Sequence, residues 1–257
     1  MREKVCRIVR SLSQTINEHA SFPIRVKKSP SKLRLGTEEF KEAVRKFRRA
    51  AQRMNKQKLV FIDATGVKEQ ALPSTGLAPK GKKAYVARTR PEAFQPRIDM
   101  LAACCYDGPL VATTITANER REAKTRGISK ERLLQFIRHD LAPQIRKRAD
   151  IQHIVVMDKG LHPSKEEVFA ALREGRANNV EDVWLIPTGA AKLVSPLDNS
   201  MFATVKRLFH ASPPANDEVA ANNFREAFMH LSPAEVRNHY RHCALTCGQD
   251  VDRDLHE

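Results

Sequence analysis

The sequence predicts an α/β domain built on one mixed sheet, in which an antiparallel meander passes into parallel strands and helices lie on the flanks. Three observations lead there. Short β-type runs crowd the stretch from Lys58 to Thr116. After it, helical and strand patterns alternate as far as His210. Two of the strand-like runs, Leu59-Val-Phe-Ile-Asp63 and Ile154-Val-Val-Met-Asp158, each carry four apolar residues into one aspartate.

Taken in order, residues 1–36 pass through Pro23, Pro30 and the basic run Lys27–Lys32 and read as an exposed linker. Thr37, followed by Glu38 and Glu39, signals a helix start, and Phe40, Val44, Phe47, Ala51 and Met54 recur at helical steps. Its other positions, Arg45, Lys46, Arg48, Arg49 and Arg53, read as a solvated face or as a track for a phosphate backbone. Strands are expected at Leu59–Asp63, Lys83–Ala87, Ile98–Cys105 and Leu110–Thr116, with turn signals at Pro79–Gly81 and at the short hairpin connection Asp107-Gly-Pro109. Ser129 and Glu131 then open a helix carrying Leu133, Ile137, Leu141 and Ile145 on one face. The strand ending at Asp158 follows. Ser164 to Glu167 start another helix, with Val168 and Leu172 inward; Val183–Ile186 is a strand; a last helix runs from about Asn199 to His210. Beyond Pro213-Pro214 come two weaker amphipathic helices, one with Phe224 and Phe228, the other with Val236 and Tyr240. Meander, helix, strand, helix, strand, helix is the order of a ribonuclease H-like fold. The expected division is a basic N-terminal linker and helix at 1–56, the ribonuclease H-like domain at 57–212 and a helical tail at 213–257.

The chain of 257 residues carries 45 Lys+Arg against 30 Asp+Glu, a formal net charge of +15, which favours polyanionic partners through phosphate contacts. DNA, RNA and anionic membranes share that sign. No apolar stretch approaches the roughly 20 residues of a bilayer span, and Met1-Arg-Glu-Lys-Val lacks a signal-peptide core. A soluble intracellular protein without membrane partners is the expectation. Five cysteines, two of them the neighbours Cys104 and Cys105, argue against a disulfide framework. His239, His242, Cys243 and Cys247 are four zinc-ligand types in nine positions, but their spacing fits no finger pattern well.

A carboxylate at the end of a buried strand is costly unless it caps, pairs or binds metal. If the strands of Asp63 and Asp158 are parallel neighbours, both acids arrive at one sheet edge, where α/β sheets place ligands. Asp198 sits where the loop after the last strand meets the last helix. Three such carboxylates suit hard cations, magnesium or manganese, and a pair of ions about 3.5–4 Å apart serves in-line attack on a phosphodiester. Each acid also has an ordinary reading: Asp198 as an N-cap, Asp63 and Asp158 as caps of turns before Gly66 and Gly160.

The segments Phe61-Ile-Asp-Ala-Thr-Gly66, Ala78-Pro-Lys-Gly81, Val155-Val-Met-Asp158 with His162, and Ser195-Pro-Leu-Asp-Asn199 with Lys206 resemble the mariner-like superfamily of DDE transposases. The resemblance covers about residues 57 to 210, and the thirty-nine residues between Asp158 and Asp198 are similar to the spacing in members whose third acid is Asp. It implies Asp63, Asp158 and Asp198 as catalytic metal ligands for two Mg2+ or Mn2+ ions, DNA as partner, a nuclear location (cytoplasmic in a prokaryote), and metal-dependent cleavage and strand transfer by an intact or degenerate domain. A homodimer is left open; no small-molecule cofactor is implied. The chain departs from the pattern at Ala64, where Glu is usual, at Lys159, where Asn is common, and at Thr188-Gly-Ala-Ala-Lys192. The family's paired helix-turn-helix region hardly fits into the first 56 residues.

Lys80, Lys82 and Lys83 on the turn before the second expected strand are candidate nucleic-acid contacts, as are Arg120, Arg121, Lys124 and Arg126 after the fourth; exposed solubilising charge is the alternative. His162 either approaches the scissile phosphate or caps the next helix. Lys206, two turns beyond Asp198, reaches DNA or lies on the helix surface. Trp184 reads as core. Two other functional classes stay open. One is a non-catalytic DNA-binding protein derived from a transposase. The other is a ribonuclease H or resolvase, for which no fourth acid is evident.

Overall fold

The computed structural model describes residues 37–68, 97–125, 127–161, 163–187, 189–211 and 217–255. All of them belong to one compact unit, 33–69 with 96–257; a second unit, 1–32 with 70–95, lies outside the described residues. So does the expected strand at Lys83–Ala87, together with the turn before it.

Helix α1 (Glu38–Arg53) starts at Thr37, whose side chain accepts from the Phe40 N–H at 3.4 Å. Val44 and Ala51 are buried as the spacing predicts, with Phe40, Phe47 and Met54 packed against the same core. Arg48 departs from the expected solvated face: it is fully buried. Its guanidinium donates to the carbonyls of Cys243, Val251, Arg253 and Leu193 at 2.6–3.1 Å.

Five strands follow: β1 (Leu59–Lys68), β2 (Arg97–Cys105), β3 (Gly108–Ile115), β4 (His153–Asp158) and β5 (Val180–Ile186). They form one sheet in the order β3-β2-β1-β4-β5. β1 runs antiparallel to β2, and β2 to β3, while β1, β4 and β5 are parallel. The β2–β3 hairpin turns at Tyr106-Asp107 and leaves through Gly108, whose φ of 146° suits only glycine. β1 extends five residues past Asp63 because Ala64 to Lys68 continue to pair with Leu101 to Arg97.

The central strands are buried on both faces, which accounts for their unbroken apolar runs. Alternation sends Val60, Ile62, Val155 and Met157 to one side, against Leu133, Phe136, Ile137, Leu141, Ile145, Val168 and Leu172. Phe61, Val156, Met100 and Ala102 go to the other, against Val194, Leu197, Met201, Val205, Phe224, Phe228 and Tyr240.

Around the sheet lie α2 (Ala117–Glu122), α3, α4 (Lys165–Glu174), α5 (Ala191–Val194), α6 (Phe202–Ala211), α7 (Asp217–Met229) and α8 (Pro233–His242). α3 is continuous through Lys130–Gln135, a π turn at Phe136–Leu141, and Ala142–Arg146. A second π turn, Leu197–Met201, leads into α6. α4 and α8 each begin in a reciprocal capping box, Ser164 with Glu167 and Ser232 with Glu235. α2 has no buried residue and hence no apolar period to betray it; its capping box of Thr116 and Glu119 is the local reason it forms. This mixed five-stranded sheet flanked by helices is the ribonuclease H-like fold.

Candidate active site

Asp63 lies within β1, opposite Ala102 of β2, and shares the face of Phe61. It is buried, and its Oδ1 accepts from the Ala64 N–H at 2.7 Å. Gly66 continues the strand, so Asp63 caps no turn there. On the other side of β1 the parallel register runs from Leu59 opposite Ile154 to Ile62 opposite Met157. One further step along both strands is Asp63 beside Asp158, the final residue of β4. Asp158 does cap its turn: Oδ1 accepts from the Gly160 N–H at 2.6 Å.

Asp198 is not an N-cap. It sits inside the π turn Leu197–Met201, and among the described residues its carboxylate has no hydrogen-bond partner. Widened π turns recur where a helix must re-aim a functional side chain. The flanks of this turn are anchored: Asn199 donates to the Lys192 carbonyl at 2.6 Å, Ser200 Oγ is 2.6 Å from His239 Nδ1, and Arg48 holds the Leu193 carbonyl.

The three acids feel one another. Burial pushes the Asp63 carboxyl up to about 7; the Ala64 N–H opposes this, the charges of Asp198 and Asp158 add to it, and Lys206 offsets part of it. Burial likewise raises Asp198, countered first by Lys192, with Asp158 raising it and Lys206 lowering it. Lys206, half-buried on α6, is pulled down by burial and by the charge of Arg97, and held up by Asp198 and Asp63. Lys206 and Lys192 thus both set positive charge against the acids.

All-oxygen donors that repel one another, one of them still carrying a proton near neutrality, are chemically suited to a hard divalent cation. Among the described residues, however, no three carboxylate, imidazole or thiol side chains stand close enough together to hold a metal ion as they are. The two facts agree, because Coulomb coupling reaches well beyond the roughly 2–2.6 Å of a metal–oxygen bond. The donor types fit; closing on an ion requires the carboxyls to draw inward.

Other expectations divide. Lys80, Lys82, Lys83, His162 and Arg126 lie outside the described residues. Arg120 is committed to structure: only 12% of its side chain is exposed, and it pairs with the buried Asp99 and donates to the Arg97 carbonyl. Arg121 donates to Asn118. Lys159 is exposed on the turn after Asp158. Trp184 packs against Phe47 and reaches Asp182 with its indole N–H, as a core residue does. In the tail, Cys243 is buried with its thiol pushed far up by desolvation, His239 is tied to Ser200, and no metal-holding group forms among the described residues. No local signal marks Arg97 and Asp99, which pair across the sheet with Lys68 and Gly66.

No family model and no curated protein sequence matches the chain. Solved structures do. A Mos1 transposase paired-end complex with left transposon end superposes with a TM-score of 0.60 at 15% identity, covering 91% of this chain and 67% of that one. The fold is that of a mariner transposase. The isolated catalytic domain of Mos1 mariner transposase matches at TM-score 0.51 and 12% identity over 80% of this chain and 87% of that domain. A Mos1 mariner paired-end complex with Mn matches at 0.55 and 14%, over 91% and 66%. The mariner likeness seen in the motifs thus extends to the fold.

Proposed function

We propose that the chain is a transposase-derived, metal-dependent DNA endonuclease and strand-transfer domain, with Asp63, Asp158 and Asp198 as its catalytic carboxylates. The observation that carries this reading is the parallel register that ends with Ile62 opposite Met157 and brings Asp63 beside Asp158. The field of Asp198 reaching Asp63 supports the third member. Likeness to Mos1 complexes containing DNA, and to one containing Mn, agrees in substrate and cation type.

Two Mg2+ or Mn2+ ions held by the three aspartates would supply Lewis-acid activation of the attacking and leaving oxygens. The protein's own part is then definable. Asp63 gives up the proton that burial makes it keep near pH 7. Lys206 balances the carboxylate charge from the α6 side. Burial of Asp63 between β2 and β4 limits water around it and strengthens every charge interaction there.

Nicking of supercoiled DNA by the full chain tests this. Magnesium or manganese supports the activity, and Asp63→Ala or Asp158→Ala abolishes it while the fold survives; full activity in chelator refutes it. A second reading, a DNA-binding protein that no longer cuts, has its own support: Ala64 and Lys159 depart from the mariner pattern, and the acids are not gathered as they stand. It predicts DNA binding indifferent to magnesium and no nicking.

A further inference from the structure

Beside the acids, on the continuation of β1, lies an arrangement that the catalytic reading does not use. Gly66 pairs with Asp99 three positions beyond the pairing of Asp63 with Ala102. Asp99 is 1% exposed, unusual for a carboxylate. Two guanidiniums converge on it. Arg97 Nε lies 2.6 Å from Oδ1, as an ion pair without aligned hydrogen-bond geometry. Arg120, nearly buried, takes Oδ2.

Gly66 is what admits this. A Cβ at that position would collide with the Arg97 guanidinium and with Asp99. The Arg97 side chain therefore lies across the backbone of β1, where a side chain from residue 66 would otherwise stand. It remains 53% exposed while its inner edge is held by a buried anion. Such a guanidinium is pre-organised: its position is set, and its outer edge faces solvent.

Around Asp99 the cations outnumber the anion. Arg97 and Arg120 share one carboxylate, and Lys206 lies near enough for Arg97 to lower its proton affinity. Two guanidiniums thus stand on one buried carboxylate, and Lys206, held up by Asp198 and Asp63, feels the charge of Arg97. The charge of Arg97 opposes that of half-buried Lys206, and a further anion above the exposed edge of Arg97 would relieve the repulsion. A phosphate of a nucleic-acid strand, with its planar edge of oxygens, is the anion a fixed guanidinium takes up best.

We propose that Arg97, braced by Asp99 and Arg120 and given room by Gly66, binds a backbone phosphate of the DNA strand and, with Lys206, delivers that strand to the aspartates. The idea rests on the endonuclease reading for its direction but is tested by binding alone.

The full chain is titrated with a duplex DNA in chelator over a range of salt. Arg97→Gln removes the charge yet keeps an N–H for Asp99. Its plot of log Kobs against log salt becomes shallower by about 0.9, the loss of one phosphate contact on duplex DNA, and affinity near 0.1 M salt falls about tenfold. Arg97→Lys restores the slope, since a point charge still releases a counterion, without restoring full affinity. Arg225→Ala, on the exposed part of α7, serves as the remote control. Wild-type slope and affinity in a folded Arg97→Gln protein would overturn the proposal. Should that variant not fold, Gly66→Ala replaces it, displacing the guanidinium without deleting charge: weakened binding supports the proposal and unchanged binding overturns it. Because no metal is present, loss of nicking with retained Arg97-dependent binding would remove the catalytic reading alone.

Discussion

Asp63 and Asp158 stand one step beyond Ile62 and Met157, the last registered pair of two parallel strands, so a single backbone register makes neighbours of two acids ninety-five positions apart. Burial of Asp63, with the charges of Asp198 and Asp158 adding to it, keeps a proton on Asp63 up to about pH 7. That proton connects stability, pH and cation binding.

A carboxyl raised above its unfolded value contributes stability that is complete below the unfolded pKa, near 3.9, and that disappears as pH rises through about 7. In chelator, the wild type should lose stability between pH 4 and pH 8 relative to Asp63→Asn, which has nothing to ionise there. At about 1.4 kcal/mol per tenfold, the difference approaches roughly 4 kcal/mol. Thermal melts of both proteins across that range check it; parallel curves would show that Asp63 is not held protonated.

Arg48 predicts a large effect carried by backbone acceptors. Its four carbonyl acceptors join α1, the turn before Asp198 and the C-terminal tail. Arg48→Ala leaves those buried carbonyls without donors and should cost about 3 kcal/mol or more. Arg48→Lys should recover little, because one ammonium does not replace a planar fork of donors. Urea unfolding of the three proteins measures both.

Gly175 ends α4 at an ordinary φ of −75°, so backbone freedom is not its purpose. A Cβ there would collide with the Ala142 side chain and the Arg138 carbonyl, where α3 crosses close by. Gly175→Ala should destabilise the fold by about 1–3 kcal/mol, while Gly127→Ala, which has open space around its Cβ, should come within about 0.5 kcal/mol of wild type. Denaturant midpoints of the two variants test the contrast.

What could be read in the sequence was whatever has a period or a cap. The two apolar runs leading into aspartate, the face Leu133-Ile137-Leu141-Ile145 and the caps at Ser129 and Ser164 are local signals, and each led to the right element. α2 escaped notice because it is polar all round. The π turn holding Asp198 leaves no mark on residue spacing, because a widened hydrogen-bond ring has no signature of its own, and this is why a helix cap is the ordinary alternative for that aspartate from sequence. The burial of Arg48 cannot be read locally, because its acceptors lie 145 to 205 positions away. Arg97 was missed for the same kind of reason: its meaning depends on Gly66 across the sheet.

Manganese bound to the crystalline protein, located by its anomalous scattering, tests the central claim most directly. The account predicts scattering peaks ligated by the carboxylates of Asp63 and Asp158, with Asp198 drawn into the same cluster and the Asp63 proton gone. Carboxyls that stay apart, with no manganese beside Asp63 in millimolar metal and an accessible site, would contradict it.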